Sequence, residues 1–238
     1  MSEMIRQIYD ESNQIFGAAK IQAILRGQGV IASERMVAEL MGEMNLVSIR
    51  NGAKENHARF APKVKKDRIK LNFSASAPNR VWVSDVTYYI QNEKTYYICV
   101  IIDLYSRKVI AYKISPKHSS QLITSTFRTA YRERRPTEGL IFHSDRGPQY
   151  TSYAMQKLLS SLHVEQSFSP SGKPCHNAVM ESFFSSMKRE ELYRRNYHSV
   201  EEFKTCVGKY IEFYNNERPH RTIGYRTPNA YEAMLSNG

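Results

Sequence analysis

Asp145 stands in Phe142-His143-Ser144-Asp145-Arg146-Gly147-Pro148-Gln149-Tyr150, directly after a short apolar run from Leu140 to Phe142 and before a Gly-Pro pair. That order reads as a carboxylate at the end of a strand, where the backbone turns away. A second acid, Asp85, lies inside the β-like run Val81-Trp82-Val83-Ser84-Asp85-Val86-Thr87-Tyr88-Tyr89. A third, Glu181, follows Asp145 with 35 residues between, near the start of a helical segment. An acid beside a strand is usually a turn former or half of an ion pair. Here the chain has only five Asp, at positions 10, 67, 85, 103 and 145, and two of them fall in or at the end of apolar strand-like runs with no cation inside the strand. Burying an unpaired carboxylate costs on the order of several kcal/mol, and a divalent cation would remove that cost. Three carboxylates on two strands and a helix make an oxygen-rich, open site of the kind that Mg²⁺ takes.

The elements that must position these acids can be read in order. Residues 81–90, 95–104 and 108–114 are rich in Val, Ile and Tyr and are divided by Gln91-Asn92-Glu93-Lys94 and Tyr105-Ser106-Arg107, which predicts an antiparallel meander. A helix over 119–134, a strand over 140–142, a helix over 153–161 and a short strand over 163–168 follow. Three strands and then alternating helices and strands suit a mixed five-stranded α/β sheet of the ribonuclease-H-like kind with flanking helices. In that arrangement the first and fourth strands lie side by side, which brings Asp85 to Asp145. Asp103 is a rival for Asp85, since it ends the second run. The hairpin-like Tyr105-Ser106-Arg107 behind it favours a structural role in which Asp103 accepts local hydrogen bonds.

Around Glu181, the segment Ser169 to His176 is a loop by composition, and Lys173 within it can meet DNA. Cys175-His176 does not make a zinc site, because no other Cys-His pair lies at ligand spacing. Asn177 is placed to cap a helix with Val179, Phe183 and Met187 as its apolar stripe. Lys188, two helical turns after Glu181, projects from nearly the same face, roughly 10 Å along the axis. It either reaches a phosphate beside the acids or is a surface coincidence.

The rest of the chain points to a polyanionic partner. The 238 residues carry a net charge of +11, which fits nucleic acid most simply. From Arg50 to Arg80 there are nine Lys or Arg against two acids, among them Lys63, Lys65 and Lys66, with few large apolar side chains. Such a segment has little to bury and much to offer phosphate. Residues 1–50 look helical: Ile5, Ile8 and Tyr9, then Ile21, Ile24 and Leu25, then Met36, Val37, Leu40 and Met41 have helical spacing, with Ser33 as a cap and a glycine-containing turn at 27–32. That is the layout of a helix-turn-helix, with Arg35 and Arg26 toward DNA, or of a helical hairpin used for packing. At the other end, a helix over 200–214 precedes Arg218-Pro219-His220-Arg221. Arg218 either binds phosphate or ties down the tail through carbonyls, and Arg221 reads as a DNA contact. Three scattered cysteines argue against a disulfide framework, and no apolar run approaches the length of a membrane span, so a cytoplasmic protein without a membrane partner is expected.

The order Asp85, Asp145, Glu181, Lys188 resembles the DDE transposases of the retroviral-integrase superfamily, in particular the second-frame (OrfB) protein of the insertion-sequence-three family. The surrounding words carry the same resemblance: Trp82-Val83-Ser84-Asp85-Val86-Thr87-Tyr88, Asp103-Leu104-Tyr105-Ser106-Arg107, His143-Ser144-Asp145-Arg146-Gly147, Asn177-Ala178, and Tyr214-Asn215 through Arg218-Pro219-His220. The resemblance implies a helix-turn-helix-like DNA-binding domain over 1–50, a basic linker over 51–79, a catalytic core over 80–195 and a C-terminal helical extension over 196–238. It implies that Asp85, Asp145 and Glu181 are catalytic and hold two Mg²⁺ ions, with Mn²⁺ as a substitute, and that Lys188, Arg146, Lys173, Arg35, Lys63, Lys65, Lys66 and Arg221 meet DNA. Its implied partners are the double-stranded terminal inverted repeats of an element and target DNA near the bacterial nucleoid, further copies of the chain, and an upstream-frame product joined by frameshifting. A hydrolytic nuclease would share the acids but would not need the helix-turn-helix and basic linker. A DNA-binding regulator would not need the acids.

Overall fold

The structure, a computed structural model, describes residues 1–49, 75–137, 139–169 and 177–235. The chain divides into two compact units, residues 1–63 and 64–238. The expected basic linker therefore lies almost wholly outside the described residues, as do Lys63, Lys65, Lys66 and Lys173.

The first unit holds three helices, α1 (Ser2–Glu11), α2 (Ala18–Gly27) and α3 (Glu34–Glu43). Ile5, Ile21, Leu25 and Val37 are fully buried between them, as the spacing predicts. Ser33 caps α3 by accepting a hydrogen bond from the Met36 N–H at 3.1 Å. The expected apolar stripe of α3 is narrower than the sequence suggests: Val37 and Met41 face inward, while Met36 is 47% exposed. Three short helices cannot cover four apolar positions on one of them.

The second unit is built on a five-stranded sheet in the order β3-β2-β1-β4-β5. Its strands are β1 (Val81–Gln91), β2 (Lys94–Asp103), β3 (Val109–Ser115), β4 (Ile141–Ser144) and β5 (Glu165–Phe168). β1, β2 and β3 form the antiparallel meander, and β4 and β5 join it in parallel. Alternation along each strand sends side chains to two separate cores. On one face Trp82, Cys99, Ile101 and Phe142 pack against α4 (Ser120–Arg134) and α5 (Tyr153–Ser161). On the other, Val83, Val100 and Ile102 pack against α6 (Ala178–Met187) and α7 (Val200–Asn216). Each large side chain buried in these layers contributes roughly 1.5–3 kcal/mol before conformational entropy is set against it.

α6 does not end at Met187 but runs into a π-helical turn, Lys188–Leu192. Glu190 in that turn is buried and is held by Arg218, which donates to it at 2.7 and 2.8 Å, and by the Tyr210 hydroxyl at 2.9 Å. Arg218 thus has the structural of its two expected roles, but through a carboxylate rather than through carbonyls, because a buried guanidinium needs a counter-charge. The chain closes with α8 (Pro228–Ala233), capped by Thr227. Among the described residues no helix is long and apolar enough to cross a membrane.

Candidate active site

Two of the three acids are brought level where two strands run side by side. β1 and β4 pair in parallel register through Val81–Ile141, Trp82–Phe142 and Val83–His143. Continued two residues, that register sets Asp85 level with Asp145, which follows the last residue of β4. β4 itself runs to Ser144, two residues further than the apolar run alone predicts, so Asp145 sits at the strand's mouth. Its Oδ1 accepts the Gly147 N–H at 3.0 Å, which fixes the tight loop that follows.

Asp85 points to the face covered by α6 and α7. Its cross-strand partner there is Val100. It is half-buried, and its Oδ1 accepts the Val86 N–H at 2.7 Å. Burial pushes its carboxyl up to about 7. The Val86 hydrogen bond opposes that, the nearby charges of Asp145 and Glu181 add to it, and Lys188 opposes it. Glu181 lies exposed in the first turn of α6. The three acids thus share one electrostatic neighbourhood, with Lys188 inside it. Among the described residues they do not converge into a ready-made metal-binding group. Like charges repel, and each acid hangs from a different element.

The donor set nevertheless fits a hard divalent cation. All three groups offer carboxylate oxygen, and Asp85 is a half-buried acid whose ionised form is opposed by burial and by two like charges, both of which a cation would relieve. Asp103 belongs elsewhere. It pairs across the ladder with Trp82, on the opposite face of the sheet from Asp85. There it accepts from the Asn79 N–H at 2.7 Å, the Tyr105 N–H at 3.0 Å and Arg134 at 3.4 Å.

Asn177 corrects a sequence expectation. It occupies the cap position of α6, but its side chain makes no cap hydrogen bond. It turns instead to β1, where Nδ2 donates to the Ser84 carbonyl at 3.4 Å. Lys188 stands 5.6 Å over the ring of Tyr88, an exposed residue three places beyond Asp85, as a cation–π pair. Arg146 is exposed beside Asp145, and Arg221 is exposed in a 3₁₀ turn. Arg35, in the separate first unit, is exposed and paired with Glu39 at 2.8 Å. Ser84 and Tyr150, whose hydroxyls lie 2.8 Å apart, also stand inside the acid-bearing words, where residue type and spacing alone do not mark them.

The chain matches the integrase core domain over residues 75–174 and a second integrase core domain model over 162–228, and an HTH-like domain over 1–54. It is 34% identical to the transposase for insertion sequence element IS904 of Lactococcus lactis, over 99% of this chain and 94% of that protein. It is 32% identical to transposase InsF for insertion sequence IS3A of Escherichia coli, over 94% of this chain and 79% of that one. Among solved structures, the catalytic core domain of HTLV-2 integrase in complex with magnesium shares its fold with a TM-score of 0.53, at 20% identity over 66% of this chain and 98% of that one. A simian T-cell lymphotropic virus intasome matches with a TM-score of 0.60, at 17% identity over 96% of this chain and 74% of that one.

Proposed function

Because the chain belongs to the insertion-sequence-three family of DDE transposases, with a ribonuclease-H-like integrase core behind a helix-turn-helix-like domain, we propose that it binds the ends of an insertion element and catalyses metal-dependent strand cleavage and 3′-OH strand transfer. The observation that best supports this reading is the β1–β4 register, which sets Asp85 level with Asp145, together with the charges of Asp145, Glu181 and Lys188 that all act on the Asp85 carboxyl.

In this reading the three carboxylates hold two Mg²⁺ ions, with Mn²⁺ as a substitute. Held by these residues, such a metal would supply an activated water and offset the charge on the phosphate and the departing 3′ oxygen. The protein's own part is placement. Asp85 is set by the central strand β1, Asp145 by β4 beside it, and Glu181 by a helix packed on β1. Lys188 brings an ammonium to the same mouth, where it holds a phosphate next to the acids. Hydrolysis of a phosphodiester at the element end frees a 3′-OH, and that hydroxyl displaces the 3′ oxygen of a second phosphodiester, so one bond is made for each one broken. No covalent protein–DNA link is required.

Arg146 and Arg221 on the catalytic unit, Arg35 on the first unit, and Lys63, Lys65, Lys66 and Lys173 complete the proposed DNA contacts. Two ends must be held for transposition, so the chain acts as an oligomer on DNA, in the cytoplasm at the nucleoid, with an upstream-frame product as a further partner. The test is strand transfer by the purified protein in Mg²⁺ with DNA carrying its element ends. Wild type should join 3′ ends, and Asp145→Asn should bind the same DNA with joining reduced on the order of 10⁴-fold or more, the loss that removing one of a set of cooperating catalytic groups brings. Cutting without joining would favour a nuclease, and joining by Asp145→Asn would refute the site.

A further inference from the structure

The backbone ladder between β1 and β4 extends in register only to Val83–His143, and the two acids lie just beyond it. Asp85 and Asp145 are also like charges in reach of each other. Something other than strand pairing must hold the Asp145 loop to β1 at the level where the chemistry occurs.

We propose that Ser84 is a positioning residue that joins the three acid-bearing elements, its hydroxyl to the Asp145 loop through Tyr150 and its carbonyl to the Glu181 helix through Asn177. This rests on the reading of the acids as a metal-dependent site. Ser84 Oγ donates its single hydrogen to the Val100 carbonyl at 3.0 Å. At 2.8 Å from Tyr150 Oη it therefore accepts, and Tyr150 donates. The Tyr150 N–H in turn donates to the Gly147 carbonyl at 3.0 Å, and the Gly147 N–H donates to Asp145 Oδ1 at 3.0 Å. Gln166 of β5 holds the Tyr150 carbonyl at 2.9 Å. An unbroken run of hydrogen bonds thus leads from Asp145 to the residue next to Asp85.

On its other side, the Ser84 carbonyl accepts Asn177 Nδ2 at 3.4 Å, four residues before Glu181. Ser84 and Tyr150 are 0% and 2% exposed, and Asn177 is 6% exposed, so water competes little for these bonds. Ser84 itself faces the α4–α5 layer and offers nothing to substrate. Its effect passes through its neighbours.

Tyr150→Phe removes only the hydroxyl. The ring stays in its place against Phe142, and Ser84 keeps its bond to Val100. Mn²⁺ binding to the full chain, followed by electron paramagnetic resonance, reads the geometry of the acids without requiring turnover. Tyr150→Phe should melt in EDTA only about 2–4 °C below wild type, the loss of one hydrogen bond, yet bind Mn²⁺ about ten- to a hundredfold more weakly, as the loss of a group that orients metal ligands does. Its strand transfer should lose kcat with KM for DNA unchanged. Ser84→Ala should weaken Mn²⁺ binding equally, and the double variant should weaken it no further. Unchanged Mn²⁺ affinity in Tyr150→Phe, or additive losses in the double variant, would overturn the role of Ser84 alone. A wild type without saturable Mn²⁺ binding would overturn the metal site and this role with it.

Discussion

The carboxyl of Asp85 is half-buried, takes one backbone hydrogen bond from Val86 and stands near two further acids, so its ionised form is disfavoured in the folded chain. A group that costs stability at neutral pH and serves a reaction leaves a specific signature on substitution. Asp85→Asn keeps the shape and discards the charge. In EDTA at pH 8 it should melt above wild type by about 2–4 °C, the equivalent of about 1 kcal/mol for a chain of this size, while losing strand transfer. A lower melting temperature would mean that Asp85 is a structural acid. Asp103 is the contrast: fully buried, with Asn79, Tyr105 and Arg134 around it, it makes the bonds that Asp85 lacks. The sequence pointed to this division, because Asp103 precedes a turn and Asp85 does not. It could not show that the two acids face opposite sides of the sheet, which depends on the register Trp82–Asp103.

At the scale of elements, the site depends on α6 being held at both ends. Asn177 fastens its start to β1, and the π-helical turn after Met187 fastens its end through Glu190, Arg218, Ser186 and Tyr210. π turns are rare and cluster at functional sites, and this one directly follows the helix that carries Glu181. Removing one partner of the buried pair strands a charge, whereas removing both leaves an apolar contact. Arg218→Met should therefore cost about 3–5 kcal/mol in urea unfolding, and Glu190→Leu with Arg218→Met should recover most of it. If the double variant is as unstable as the single, the pair is not the source of the loss. Strand and helix boundaries were legible because Val, Ile and Tyr runs alternate with turn residues, and the β1–β4 adjacency was expected from the ribonuclease-H-like fold that the order of elements suits. The turn at Lys188 was not legible, since a single five-residue π turn is too short to leave a period of its own in the sequence, and the Glu190–Arg218 pair that accompanies it joins residues 28 apart. Asn177 differs for a related reason: its Nδ2 is turned to the Ser84 carbonyl of β1, and its side chain makes no cap hydrogen bond.

For the whole molecule, charge and closure are unevenly distributed. Residues 1–49 hold four basic and six acidic side chains, a net −2 in a chain of +11, so attraction to a polyanion comes from residues 50–238. Within the second unit, α8 is tied to the sheet and α4 by Glu232, which accepts Arg134 at 2.8 and 2.9 Å, Ser106 at 2.8 Å and Lys108 at 3.3 Å. Burial opposes its ionisation, but Arg134, then Ser106 and Lys108, outweigh it and hold the carboxyl below its ordinary 4.5. A lowered folded pKa gives stability that is present above the unfolded value and is lost as pH falls through the folded one. The urea midpoint of wild type should exceed that of Glu232→Gln at pH 7, and the gap should close as pH falls below 4.5. A gap independent of pH would assign the effect to packing. The central claim, that acids on three elements form one site, is tested most directly by strand transfer in Asp85→Asn, Asp145→Asn, Glu181→Gln and the triple variant, with DNA binding measured beside it. Groups that act as a unit are not additive: each single variant should bind DNA as wild type does and lose nearly all of the joining that the triple variant loses. A single variant that retains joining would remove that acid from the site, and losses that multiply across the three would mean that they act separately.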